Sequence, residues 1–200
     1  MITLKKATGE AVKYACLNFH YAKRVPSAWY SYNVYNEKNE WCGCIVYGNG
    51  AGPHIQDQFG MNIGEVVELV RVALNGKQSC TSECVAASIK QLHKDAPQVK
   101  LIVSYADMDQ GHAGIIYQAT NWIYLGVYGK GPAMNYIING KKYHNKTIHD
   151  KHWSEEYIKS IDPNYTRVAA TGKHKYIFVF DKKLRKEWQK KALPYPKKGE

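Results

Sequence analysis

The sequence predicts an α/β (α+β) fold, a single domain built on a central mixed, strongly twisted sheet with helices against it. Three observations lead there. Residues 66–74 form an apolar run of strand length, and a helix with Val85, Ala86, Ile89 and Leu92 on one face follows it. A second apolar strand covers residues 99–105, so the unit implies a parallel, right-handed crossover. Beyond it Ser104-Tyr105-Ala106-Asp107 passes through a polar turn into a short helix carrying Tyr117, and the chain re-enters a strand at residues 122–126.

The remaining elements follow in order. Ala11, Val12, Ala15 and Cys16 recur at helical spacing, predicting a first helix over residues 8–18. Residues 19–26 leave it as a polar loop ending at Pro26, since proline disfavours helix in the residue before it. Residues 30–35 and 41–47 are β-rich runs, and residues 36–40 between them suit a hairpin turn. The glycine-rich stretch 48–53 is a loop, and residues 75–82 are a turn of small polar residues. The last third is basic and aromatic: residues 128–153 mix Lys130, Lys141, Lys142, Lys146 and Lys151 with Tyr136, Tyr143 and Trp153. A late strand at 176–180 precedes a strongly basic helix at 182–191, the start of a basic tail over 182–200.

Composition excludes several classes. With 44% hydrophobic and 22% charged residues the chain is of globular, not disordered, type. No apolar run approaches the roughly 20 residues of a membrane span, and no secretory signal is evident at the amino terminus. A cytoplasmic protein without a membrane partner is therefore expected. The five cysteines form no disulfide framework. Cys42-x-Cys44 and Cys80-x3-Cys84 read as structural thiols, or as a zinc set lacking a nearby histidine; alternation along a strand would point Cys42 and Cys44 to one face. A net charge of +11 and a pI near 9.3 point to a polyanionic partner, nucleic acid ahead of membrane.

Several residues stand out chemically. Arg71 and Glu68 interrupt an apolar strand; a buried guanidinium needs a carboxylate or a ligand anion, and Asp107 from the next strand is one candidate partner. Asp107 itself sits at the carboxyl end of a strand, where open α/β sheets place reactive groups. Tyr117 is either a packed tyrosine or a phenol that protonates a leaving group, on a helix whose Ile115, Ile116 and Ala119 are expected to face inward. His20-Tyr21 lies in a polar loop where an imidazole titrating near neutrality would make a ready base; His112 competes for that role or caps a helix. Ser79, Thr81 and Ser82 open a helix and offer hydroxyls and amides to a phosphate, as an ordinary cap would also do. Lys141, Lys142, Tyr143 and Lys146 suit a nucleic-acid surface, with lysines for phosphates and aromatics for stacking, or else a solvated basic loop.

Taken together, Phe19-His20-Tyr21 and the basic residues after it, Glu68-Leu69-Val70-Arg71, Ser104-Tyr105-Ala106-Asp107, Gly111-His112 through Trp122, and Leu193-Pro194-Tyr195-Pro196-Lys197 resemble the Mom family of bacteriophage DNA-modification proteins. The resemblance runs from about residue 19 to 197. It implies a GNAT-like acyltransferase fold and conversion of adenine in double-stranded DNA to N6-(carbamoylmethyl)adenine, which protects phage DNA from restriction in the host cytoplasm. By motif it implies catalytic positions at His20, Tyr21, Arg71, Asp107 and Tyr117. It also implies iron as a candidate metal, although these residues make no closed ligand set.

One departure bears on the donor. GNAT enzymes cradle the pyrophosphate of coenzyme A with an Arg/Gln-x-x-Gly-x-Gly/Ala loop, whereas residues 75–82 hold one glycine and no such pattern. Acyl transfer to N6 would also not by itself give a product joined through its methylene carbon. A glycyl group passed to N6, followed by intramolecular rearrangement, gives the isomeric product without redox chemistry. The donor is thus glycyl-tRNA or acetyl-CoA, with tRNA as the carrier in the first case; an oligomer is compatible with either. The rival readings are a conventional GNAT N-acetyltransferase acting on a protein or small amine, and a non-enzymatic DNA-binding phage protein on an inactive fold.

Overall fold

In the computed structural model the described residues are 2–50, 54–129 and 131–197, without the side chains of 131–133 and 146. The chain runs β1 (Thr3–Lys6), α1 (Gly9–Asn18), β2 (Tyr30–Tyr35), β3 (Trp41–Gly48), β4 (Val66–Leu74), α2 (Thr81–Asp95), β5 (Leu101–Asp107) and α3 (Ile115–Gln118). It continues through β6 (Ile123–Tyr128), β7 (Gly131–Ile138), β8 (Lys141–Tyr143), α4 (Asn145–Asp150), α5 (Glu155–Ile161), β9 (Thr166–Ala170), β10 (Lys173–Val179) and α6 (Lys182–Gln189). The expected loop at 48–53 falls partly on residues 51–53, which lie outside the described residues, as does Lys130.

The main sheet has the order β1-β2-β3-β4-β5-β10-β6. Its pairs are antiparallel except β4 with β5, the parallel pair that the crossover through α2 requires. Both faces are covered, which is why β3 and β4 are nearly continuous apolar runs. On one face Val85, Ile89 and Leu92 of α2 pack against Val67, Leu69 and Ile102. Each such burial contributes about 1.5–3 kcal/mol, so tertiary packing is what holds this helix. On the other face Val12, Ala15 and Cys16 of α1 meet Val46, Val70 and Ala73, and Leu184 and Trp188 of α6 join Leu101, Val103 and Ile177. Thr8 caps α1 by accepting from the Ala11 amide, and Asp181 caps α6 by accepting from Leu184.

Two bulges redirect side chains. The β2–β3 register shifts at Cys42, next to Gly43 at φ +124°. Cys42 consequently packs with Cys84 on the α2 face while Cys44 packs with Cys16 on the α1 face. The expectation that strict alternation would align them is overturned by the bulge. A second shift, with Val46 opposite Arg71 and Tyr47 opposite Leu69, leaves Val70 as the extra residue of β4.

The parallel pairing of β4 and β5 ends early, at Glu68 with Val103. Beyond it β4 keeps β3 as a neighbour and β5 keeps β10, but the two strands separate. The Ser104 hydroxyl spans the start of the opening by donating to the Leu69 carbonyl at 2.9 Å.

The basic, aromatic stretch is a folded unit larger than residues 128–153. Residues 131–170 form a second sheet, ordered β8-β7-β9, with α4 and α5 against it. Ile138, Ile148 and Ile158 make its small core, and Tyr136, Tyr143, Trp153 and Tyr165 pack around them. The carboxyl end straps the other edge of the main sheet: the Leu193 amide donates to Tyr124 O, and the Gln118 side chain donates to Pro196 O.

Candidate active site

Without the bulge at Val70, strand alternation would set Glu68 and Arg71 on opposite faces. With it, Val72 and Leu74 return to the α2 face and Arg71 turns to the α1 face with Glu68, close enough to Cys16 of α1 for its charge to be felt there. Nη1 of Arg71 donates to the Val70 carbonyl at 2.6 Å, and its buried Nε has no partner. Among the described residues no carboxylate lies within ion-pair distance of it, so the expected Arg71–Asp107 pair does not form. A half-buried guanidinium with an orphaned N–H is arranged to receive an anion or a developing oxyanion.

Glu68 lies in the wall of a cavity of about 530 Å³. Burial raises its carboxyl to about 7, against the lowering influence of Lys173 and Arg71. Gly50, at φ +68°, leaves the space that the Glu68 carboxyl occupies; a Cβ there would collide with it.

His20 and Tyr21 stack on each other at 4.4 Å in the loop after α1, and the His112 ring meets Tyr21 edge-on at 5.6 Å. His112 stands three residues before α3 and does not cap it; Gly114 does, in a left-handed conformation. His20 differs from its expected role. Burial, then the charges of Arg71, His112 and Lys23, push the imidazole down to about 4, so it is neutral at pH 7. Its Nδ1 accepts from the Ala22 amide at 3.1 Å. The proton of the neutral ring must then sit on Nε2, making His20 a hydrogen-bond donor rather than a base. Tyr21 is raised by burial and then by the charge of the neighbouring Asp107, against the lowering influence of Arg71.

Tyr117 approaches the β4–β5 opening from the α2 face. It is 7% exposed and wedged between Trp122 and Tyr176 at 5.0 and 5.1 Å. Its hydroxyl lies 2.8 Å from Ser104 Oγ. The single Ser104 proton stands between two acceptors, the Leu69 carbonyl and the Tyr117 oxygen. Burial raises the phenol to about 12, and the Ser104 hydrogen bond opposes this. Tyr21 and Glu68 also act on it electrostatically. Of the neighbouring residues expected to face inward, Ile116 packs into the core, but Ile115 is 52% exposed and Ala119 is exposed as well, because a helix of one turn offers a single inward position beside Tyr117.

Of the five expected catalytic residues, Asp107 lines the cavity with Glu68; His20, Tyr21, Arg71 and Tyr117 are not among its described lining residues and are linked to one another and to Glu68 and Asp107 through their charges. Sequence reasoning left the facing of Glu68 undecided and missed Asn49, Asn135, Tyr105 and Tyr128 of the cavity wall. Glu68 carried a readable signal, a carboxylate inside an apolar strand; the two asparagines carried none. Asp109, also in the wall, is paired with Lys142 at 2.7 Å.

The other expected binding residues are elsewhere. Ser79 donates to Glu37 at 3.1 Å, Thr81 accepts from Gln78 at 3.0 Å, and Ser82 pairs with the Cys80 thiol at 3.1 Å. These hydroxyls already have protein partners, and one of those partners is the Glu37 carboxylate, which would repel a phosphate held by Ser79. The turn thus fits coenzyme A poorly. Lys141, exposed, lies over the Tyr143 ring at 5.5 Å on the second sheet; the Lys146 side chain lies outside the described residues. No three His, Cys, Asp or Glu side chains among the described residues converge as a metal site, so no residue is assigned to iron. None of the described helices is long and apolar enough to cross a membrane.

A family model described as the Mom protein family matches residues 1–197. Methylcarbamoylase mom of Escherichia phage Mu is 25% identical over 187 residues, covering 89% of this chain and 76% of the phage Mu protein. Among solved structures, a spermidine N-acetyltransferase, SpeG, from Vibrio cholerae matches with TM-score 0.51 and 9% identity over 89% of this chain and 93% of its own. A structure assigned to a phosphinothricin N-acetyltransferase matches with TM-score 0.53 and 8% identity over 91% of this chain and 100% of its own. The fold is that of the GNAT acetyltransferases.

Proposed function

From the chain's membership of the Mom protein family, we propose that it is a phage DNA-modification transferase that converts adenine in double-stranded DNA to N6-(carbamoylmethyl)adenine. The observation that carries this reading is a base and an acid on opposite sides of one opening. Glu68, with a carboxyl near 7, faces a cavity, and the Tyr117 hydroxyl faces the opening from behind. The name of the phage Mu relative supports the same reaction class.

In this mechanism Glu68 removes a proton from adenine N6 as the nitrogen attacks the carbonyl of a glycyl ester carried by tRNA. Arg71 and the Nε2–H of His20 stabilise the oxyanion. Tyr117 protonates the departing ribose oxygen, the Ser104 hydroxyl donates to the phenolate left behind, and solvent returns the proton after the product leaves. The Asp107 carboxylate, beside Tyr21, helps keep that phenol protonated. The amide formed carries a free amine. That amine attacks adenine C6 through a five-membered ring, the original C6–N6 bond breaks, and the expelled nitrogen becomes the terminal amide. Atoms and electrons balance without an oxidant. Glycyl-tRNA also suits a basic chain whose turn at 75–82 fits coenzyme A poorly.

Mass spectrometry of nucleosides from DNA of expressing cells tests this. A deoxyadenosine adduct of carbamoylmethyl mass, absent with Glu68→Gln or Asp107→Ala, is expected. Glycine labelled with heavy nitrogen should place its label on the ring-attached nitrogen; label arriving instead from acetyl-CoA carbon would overturn the donor.

A conventional N-acetyltransferase for a small cationic amine is favoured by one observation, the lining of the cavity by Glu68, Asp107 and Asp109. That attraction is weak, because Asp109 is neutralised by Lys142 and Glu68 is only partly ionised at neutrality. Tight acetyl-CoA binding with no DNA requirement would support this second reading.

A further inference from the structure

Asn135 of β7 is 3% exposed, lines the cavity, and has a side-chain oxygen with no hydrogen-bond partner among the described residues. The buried Asn49 Oδ1, in the same cavity wall, is likewise unpartnered. Buried amide oxygens are normally satisfied, so two in one cavity call for a ligand that brings N–H donors. Glu68 adds a third acceptor when ionised. The Tyr105 and Tyr128 rings, 5.3 Å apart and tilted by 41°, provide aromatic surface in the same wall. The volume, about 530 Å³, falls within the roughly 300–1,000 Å³ of small-molecule sites. The wall mixes Glu68, Asp107 and an Asp109 neutralised by Lys142 with Lys173, while exposed lysines of the second sheet and α6 stand outside the cavity.

We infer that this cavity is the pocket for a nucleobase lifted from the stack, and that Asn135 reads its exocyclic amino group. The second sheet then serves as the far wall of the base site, besides any grip on the DNA backbone. Asn135, with Asn49, accepts one amino hydrogen and leaves the other directed to Glu68. Asn135 is thus a positioning and specificity residue. The identity of the base rests on the DNA-modifying reading; the chemistry of the pocket does not.

Titration of the full-length protein with adenosine and with purine riboside, which lacks the amino group, tests the inference without DNA. The wild type should bind adenosine about tenfold more tightly, the size of one well-made hydrogen bond. Asn135→Leu should lose that preference by weakening adenosine alone, whereas Asn135→Asp, which keeps an acceptor oxygen, should retain it. A merely structural role would weaken both nucleosides alike. Equal binding by the wild type, or a preference that survives Asn135→Leu, overturns the inference. If Asn135→Leu does not fold, Asn49→Leu provides the same comparison. A wild type that discriminates the nucleosides but leaves DNA unmodified would sink the reaction and keep the pocket.

Discussion

Replacing Glu68 by Gln should abolish modification and at the same time make the protein more stable above neutrality. The carboxyl is raised from its ordinary 4.5 to about 7 by burial. At 1.36 kcal/mol per pH unit, that is a penalty of about 3 kcal/mol for holding the ionised form in the folded state. The sign follows from linkage. Below pH 4.5 the group is protonated in both states and costs nothing. Between 4.5 and about 7 the unfolded chain ionises first, so folding loses stability as pH rises; above 7 the full penalty is present. Glutamine removes it at every pH. Urea unfolding at pH 5 and pH 8 should show the advantage of Glu68→Gln growing by about 2.5 kcal/mol between them. Wild-type modification should fall about tenfold per pH unit below about 7. An advantage that is the same at both pH values would mean that Glu68 titrates normally, and the base assignment would collapse.

Three further perturbations separate the remaining roles. Tyr117→Phe should cost about 1 kcal/mol of stability through the lost bond to Ser104 and lower modification by about a hundredfold or more, with DNA affinity intact in a mobility-shift titration; unchanged modification would end its role as acid. Gly114→Ala should destabilise by roughly 1–3 kcal/mol in thermal melts, since Gly114 has φ +72° and a Cβ would strike the Tyr176 and Tyr117 rings; a stability equal to wild type would mean that α3 shifts freely. Lys141→Ala should weaken DNA binding uniformly across sequences and reduce the salt-dependence slope by about 1. An unchanged slope would take the second sheet out of phosphate contact.

Residues 66–74 were legible as a strand because the apolar run ends in a polar turn, and Arg71 and Glu68 because charge inside such a run has to be answered by something. The bulges were not legible. Nothing in Val46 or Val70 announces the extra residue that brings Arg71 to the face of Glu68, since bulges follow from pairing between distant strands. Nor did the second sheet show itself. Its core is three isoleucines far apart in sequence, and its tyrosines and tryptophan read as stacking platforms when several in fact cover that core. Lysine and arginine over these rings, as with Lys151 on Trp153 at 4.9 Å and Arg167 on Tyr136 at 5.2 Å, gave the stretch a basic surface pattern that hid a fold. The role of His20 was not legible, because its tautomer depends on the Ala22 amide and its pKa on burial and Arg71, neither of which follows from a dipeptide.

The separation of β4 and β5 explains why Tyr117 and Glu68, the acid and base of the proposed mechanism, fall on opposite faces. Along β5, Ser104 and Ala106 face α2 while Tyr105 and Asp107 face the cavity. A continuous parallel pair would wall off one set from the other with backbone hydrogen bonds. Here the pairing stops at Glu68, one residue before the carbonyl to which Ser104 donates. Tyr117 can reach the opening because the sheet no longer closes it, and the charge of Glu68 is felt at Tyr117 for the same reason. Group transfer needs this arrangement: the nucleophile loses its proton on one side of the carbonyl carbon while the leaving oxygen gains one on the other. In this reading Ser104 does two jobs. It ties the strands where they part, and it holds the Tyr117 hydroxyl. Ser104→Ala should therefore impair catalysis much as Tyr117→Phe does, and also loosen the strand junction. Restored activity with Ser104→Thr, but not with Ser104→Val, would assign both effects to the hydroxyl; equal activity with Thr and Val would leave Ser104 as packing alone.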